Sequence, residues 1–179
     1  MQGDYMRYLS EISITDFRLA VEAYGDDVWN YAYVLTRDRH LADEIAQDTF
    51  VKAYRSFQTY RAEASMKTWL LKIARNTWLT HRNSAFFRRV VLAPFMASKG
   101  TAPSAENAYM DKVVTSEIWE MVMQLPAKYR EILLLHAHHQ LDLDEIARAL
   151  GISESACKSR LRRAKKMAAD AMNERGGWR

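Results

Sequence analysis

The segment from Asp142 to Ala168 leaves few folds open to this chain. Asp142 and Glu145 have the spacing of a capping box, in which a glutamate three residues into a helix reaches back to the backbone N–H of its own cap. The helix they open, Leu143 to Leu150, is short, and Gly151 supplies the left-handed conformation that ends it. Ser153 then caps a second helix, with Glu154 in its electropositive first turn. A short helix, a glycine-containing turn and a second helix make a helix-turn-helix. Cys157, Leu161, Ala164 and Ala168 recur at helical spacing as one buried stripe, and Ser155, Lys158, Ser159, Arg162, Arg163 and Lys166 project from the remainder. Such a helix suits the DNA major groove, its N-terminal side chains reaching base edges and the others phosphates. The competing reading is an ordinary surface helix in a bundle.

Elsewhere the apolar residues also recur every three or four positions and nowhere alternate with a period of two, so the expected fold class is all-α. Phe17, Ala20, Val21, Tyr24, Val28, Ala32 and Leu35 predict a long helix from Thr15 to Thr36, with a bend expected near Gly25. Asp38 is the expected cap of a second helix whose inward stripe is Leu41, Ala42, Ile45, Ala46, Phe50, Ala53, Tyr54 and Phe57. Residues 58–65 read as a loop, and a third helix is expected from Ser65 to Asn83. Two prolines, a glycine and small residues then mark 84–112 as a linker, whose aromatic content implies that part of it docks on something. After it, a helix through Ile118 and Leu125 ends before Pro126, and Pro126 opens the next as its first-turn residue, running to about His139. The organisation is thus two small helical domains, 1–83 and 113–179, around a flexible linker.

Composition narrows the class further. The 179 residues are 49% apolar and 27% charged, as in a packed globular protein. A single cysteine excludes a disulfide framework, and no apolar run reaches the roughly 18 residues that span a bilayer. With no signal-like N-terminus, the expected compartment is the cytoplasm and the chain is not expected to be a membrane protein. The net charge of +4 hides uneven parts. Residues 1–83 carry 11 basic and 11 acidic side chains, whereas residues 153–166 hold six basic ones against Glu154 alone.

One acidic stretch costs energy locally. Glu44 and Asp48 stand at i and i+4 and repel by a few tenths of a kcal/mol, and Asp43 adds a third charge nearby. Placement in the first turns and Lys52, four residues after Asp48, are expected to relieve part of this. An acidic, glutamine-bearing face of this kind is commonly just solvated, and it also suits a basic protein partner.

The order DEIAQDTFVKAY, loop, TWLLKIARN, linker, LPAKYREILLLH, then LDEIARALGISESACKSRLRRAKK resembles bacterial sigma factors of the sigma-70 family. Having only a linker between the two domains, it is similar to the extracytoplasmic-function (ECF, group IV) subgroup, which keeps regions 2 and 4 alone. The resemblance covers about Phe17 to Met172. It implies a promoter-specificity subunit of RNA polymerase and not an enzyme, with no cofactor. Asp43, Glu44, Gln47 and Asp48 would match the region 2.2 surface for the β′ coiled coil, while region 4 meets the β flap. Tyr60, Arg61, Lys72, Arg75, Asn76 and Arg82 fall in the stretch that recognises and holds open the −10 element; Trp69 there reads first as core packing. His136, Ser155, Lys158, Ser159, Arg160, Arg162, Arg163 and Lys166 fall in the part that reads the −35 element. The resemblance also implies an anti-sigma factor, often membrane-bound, and a stress or envelope response; no obligate homo-oligomer is expected. Met66, Thr80 and Cys157 depart from the usual pattern, which has an aromatic, an acid and a valine there.

Two other classes are consistent with parts of the chain. A regulator binding a palindromic operator could use the same helix-turn-helix, yet it has no need of DEIAQD followed by TWLLKIARN. A metal-dependent enzyme is suggested by His136, His138 and His139 with Asp142 and Asp144 behind them, but no partner motif elsewhere completes a set of ligands, so no metal site is expected.

Overall fold

The computed structural model describes residues 2–61, 63–92 and 117–174, with side chains from 16 to 84 (except 59 and 62) and from 119 to 173. All regular structure in these residues is helical. Helix α1 (Gln2–Thr36) starts well before the expected Thr15 and runs through Gly25 without a break. Its end uses no glycine: Arg37 takes the left-handed conformation (φ 61°), and its N–H donates to Tyr33 O at 2.8 Å. Asp38 then caps α2 (Arg39–Ser56), its carboxylate accepting from Leu41 N–H at 3.1 Å, as the sequence predicts.

A single 3₁₀ turn, Phe57–Thr59, follows α2 inside the segment expected to be loop. Ser65 caps α3 (Met66–Leu92) by accepting from Thr68 N–H at 3.1 Å. Helix α3 continues nine residues past Asn83, so the first part of the expected linker is helical. AFFRRVVL contains no breaker, and the first proline comes only at Pro94. The rest of the linker, 93–112, and Val114 lie outside the described residues.

The second group begins with α4 (Glu117–Gln124). Pro126 sits one position earlier than expected, as the extended cap (ψ 142°) before α5 (Ala127–Leu133). The chain then widens into a π-helical turn, Leu134–His138, closed by His139 N–H to Leu134 O at 3.0 Å and by Gln140 at φ 54°. Helices α6 (Leu143–Leu150) and α7 (Glu154–Glu174) follow.

Val28, Tyr31, Ala32 and Leu35 of α1 bury themselves against Ala42 and Ile45 of α2 and Leu70, Leu71 and Ala74 of α3. Ile132, Leu134, Leu135, Ile146, Cys157, Leu161 and Ala164 form the inner side of the second group. These belong to one contiguous buried cluster, because α5 lies against α1 and α6 against α3. Tyr54, expected in the inward stripe of α2, is instead 49% exposed, since that stripe is wider than the face its neighbours can cover.

Candidate nucleic-acid interface

The helix-turn-helix has the local chemistry its sequence predicts. Asp142 and Glu145 form the capping box, with Glu145 Oε2 accepting from Asp142 N–H at 3.3 Å. Gly151 adopts φ 65°, ψ 40°, and Ser153 Oγ accepts from Ala156 N–H at 3.2 Å. Cys157, Leu161 and Ala164 are buried and Ala168 is half-buried. Burial pushes the Cys157 thiol above its ordinary pKa, which Arg160 nearby only partly opposes. Ser155, Lys158, Arg162, Arg163 and Lys166 are exposed together on α7, with Ser159 and Arg160 half-buried at the edge. His136 stands half-buried beside them, its Nε2 3.4 Å from Lys165 Nζ.

The −10 candidates divide. Tyr60, Arg61 and Lys72 line a pocket of about 260 Å³ with Trp69, between the 57–65 connection and α3. Tyr60 is fixed twice: its hydroxyl donates to Ala64 O at 2.6 Å, and its ring lies 5.0 Å from that of Trp69. Trp69 therefore both packs on the core and offers an aromatic wall. Asn76 is exposed away from this pocket, and Arg82 lies over the Trp78 ring at 4.8 Å. Arg75 is not free: its Nε donates to Glu131 Oε1 at 2.9 Å, and the two side chains are 18% and 4% exposed. In this arrangement Arg75 joins the two helical groups.

Sequence reasoning missed that junction. Glu131 Oε1 also accepts from Tyr31 Oη at 3.0 Å, and burial next to this carboxylate pushes the Tyr31 hydroxyl well above its ordinary pKa. Arg130 is buried and its guanidinium donates to Val34 O, to Leu35 O at 3.0 Å and to Leu125 O at 3.1 Å. The last carbonyls of α1 have no partner within their own helix, so Arg130 caps α1 from another element. Thr68 Oγ1 donates to Glu145 Oε1 at 3.3 Å, and Arg148 and Ala149 of α6 complete the pocket wall. The only sequence signal was a charged pair, Arg130–Glu131, set directly before ILLL.

The acidic residues sit on α2 beyond its first turn, so the helix dipole gives them little relief. Specific donors do that work. Trp29 Nε1 donates to Asp43 Oδ1 at 2.5 Å, His40 lies 3.4 Å from Glu44, and His81 Nε2 lies 3.1 Å from Asp48. Lys52, expected to pair with Asp48, instead donates to Thr77 Oγ1 at 3.0 Å. Glu44, Gln47 and Asp48 share one exposed face with Val51, which is 50% exposed and which helical phase alone could have placed there.

The comparisons agree with this organisation. The family model "Sigma-70 region 2" matches residues 20–85, and "Sigma-70, region 4" matches residues 115–167. Among curated relatives, the ECF RNA polymerase sigma factor SigL of Mycobacterium tuberculosis is 30% identical over 147 residues, covering 80% of this chain and 81% of its own. The RNA polymerase sigma factor YlaC of Bacillus subtilis is 28% identical over 144 residues, covering 79% and 83%. Among solved structures, the sigma factor RpoE in complex with the anti-sigma factor NepR from Bartonella quintana matches with a TM-score of 0.68 at 20% identity, covering 88% of this chain and 97% of that one. CnrH in complex with the cytosolic domain of CnrY matches at 0.60 and 22%, covering 88% of each, so the fold is shared. Two domains in the order region 2 then region 4, on one chain whose described residues form only helices as regular structure, make this protein a member of the sigma-70 family of RNA polymerase sigma factors, in its ECF group.

Proposed function

We propose that this chain acts in the cytoplasm as a non-enzymatic initiation factor whose first helical group binds polymerase core and the −10 element, and whose second reads the −35 element. The observation that carries this reading is the pocket of Tyr60, Trp69 and Lys72 on the same chain as an exposed basic recognition helix. Opening a promoter requires a surface that prefers an unpaired base to duplex. A pocket with an aromatic wall and cations at its rim supplies that preference, since base stacking contributes roughly 1–3 kcal/mol per base. Tyr60, Arg61 and Lys72 hold the displaced strand; Asn76 and Arg82 extend the track along α3. Ser155, Lys158, Ser159 and Arg160 face base edges near the start of α7, and Arg162, Arg163, Lys166 and His136 face phosphates.

Glu44, Gln47, Asp48 and Val51 form the strip offered to core, with Asp43 held to one side by Trp29. Acidic groups around one apolar side chain fit a basic partner helix, in keeping with the β′ coiled coil that the family uses. Elements at −10 and −35 lie 25 base pairs apart, roughly 85 Å along B-DNA at about 3.4 Å per pair. Helical groups joined by Arg75–Glu131 and Arg130 do not reach both, so engagement of a promoter separates them. An anti-sigma factor is the partner expected to favour the joined arrangement; both solved structures named above contain one.

The test is run-off transcription with purified core polymerase. Promoter-selective transcripts are expected on adding this chain, and their absence across candidate promoters sinks the proposal. Asp48→Ala should lower affinity for core several-fold while leaving duplex binding intact. Equal loss of both would signal misfolding instead.

A further inference from the structure

The wide turn after α5 places His138 and His139 against Asp27 of α1. One nitrogen of each ring and one carboxylate oxygen lie within 4.8 Å of one another. Asp27 Oδ1 stands 3.4 Å from His139 Nδ1 and 4.0 Å from His138 Nε2. Around a tetrahedral Zn²⁺ with bonds of about 2.05 Å, donor atoms sit roughly 3.3 Å apart. The three donors are therefore close to a chelating triangle, with the His138 ring 24% exposed and stacked edge-on against Trp119 and His139.

A second observation points the same way. The His139 side chain is fully buried; its Nδ1 faces Asp27 Oδ1 at 3.4 Å, while its Nε2 makes no hydrogen bond. Buried polar groups in native proteins are satisfied with few exceptions, so a buried imidazole beside a carboxylate and a second imidazole, with one nitrogen still unpartnered, has capacity for a further partner. The far oxygen of Asp27 accepts from Lys67 Nζ at 2.9 Å, which fixes the carboxylate in the way outer partners orient metal ligands. Lys67 also repels a cation, so binding is weaker than at an uncrowded site. Two imidazoles and one carboxylate favour zinc-class cations over Mg²⁺ or Ca²⁺, which prefer oxygen-only surroundings.

We propose that Asp27, His138 and His139 form a binding site for a divalent transition-metal cation of the zinc class, made by both helical groups and open at its fourth position. Asp27 belongs to the first group and both histidines to the second, so the site is whole only while the groups are joined. A cation bound there stabilises that arrangement by mass action. The proposal goes beyond the initiation-factor reading, and its test needs no polymerase.

The experiment is calorimetric titration of the full, chelator-stripped chain with Zn²⁺, with Co²⁺ as an optical probe of tetrahedral geometry. One equivalent per chain is expected. His138→Gln and Asp27→Asn should each weaken binding at least tenfold, with circular dichroism reporting unchanged helix content. His40→Gln, outside the triad, should leave binding unchanged. Arg75→Ala touches no ligand but undoes the Arg75–Glu131 pair, so it should weaken binding by a smaller factor through the joined population. No saturable Zn²⁺ binding, or binding that survives both ligand substitutions, overturns the proposal.

Discussion

Helices α3 and α7 are both basic helices that border solvent, yet they stand in opposite conditions. Lys158, Arg162, Arg163 and Lys166 of α7 are exposed, and its apolar stripe of Cys157, Leu161 and Ala164 is buried within its own group. On α3, Arg75 is held by Glu131 of the other group, and Thr68 and the pocket beside it are bordered by Glu145 and Arg148 of α6. The joined arrangement therefore engages side chains proposed to hold the displaced strand and leaves those proposed to read duplex exposed. On the proposed reading, separation of the groups bears on melting before it bears on duplex recognition.

The largest effect that can break this contrast lies at Arg130. Arg130→Ala leaves the Val34 and Leu35 carbonyls buried without donors and should cost about 3 kcal/mol in denaturant unfolding. A loss below about 1 kcal/mol would mean that the groups are not held together there. Arg163→Ala should reduce the slope of log affinity against log salt by about 1 for duplex −35 DNA and leave single-stranded −10 binding unchanged. Glu131→Gln acts in the reverse sense: with Arg75 released, affinity for a single-stranded −10 oligonucleotide should rise several-fold in fluorescence anisotropy, while duplex binding stays constant. A fall in single-strand affinity would show that Arg75 is not withheld by this contact. The smallest effect is at Gly151. A Cβ there meets no atom within 4 Å, so Gly151→Ala costs only the backbone strain of φ 65°, about 1 kcal/mol by thermal unfolding.

What the sequence made legible was local. The Asp38 cap, the Asp142–Glu145 box, the Gly151 turn and the Cys157 stripe depend on residues within a few positions of one another, and each is present. The extension of α3 to Leu92 was also readable in AFFRRVVL, but the loop composition further on hid it. The junction was not readable, because its partners are far apart in the chain: Tyr31 and Glu131 are separated by 100 residues, Arg130 and Val34 by 96. The same distance hid the third member of the histidine cluster. His138 and His139 gave no metal motif in sequence because Asp27 lies in the other helical group. Arg75, read from its own helix as a −10 candidate, is instead drawn into the pair with Glu131 by the arrival of α5.

The capping of α1 by Arg130 also sets how tightly the chain can hold a promoter. If both elements are bound only by separated groups, the apparent dissociation constant is the intrinsic one divided by the separated fraction. Every 1.4 kcal/mol held in the junction then weakens promoter binding tenfold. On that proposed reading, substitutions at a single arginine on three carbonyls would retune the response of every promoter by one common factor, without touching any residue proposed to read a base.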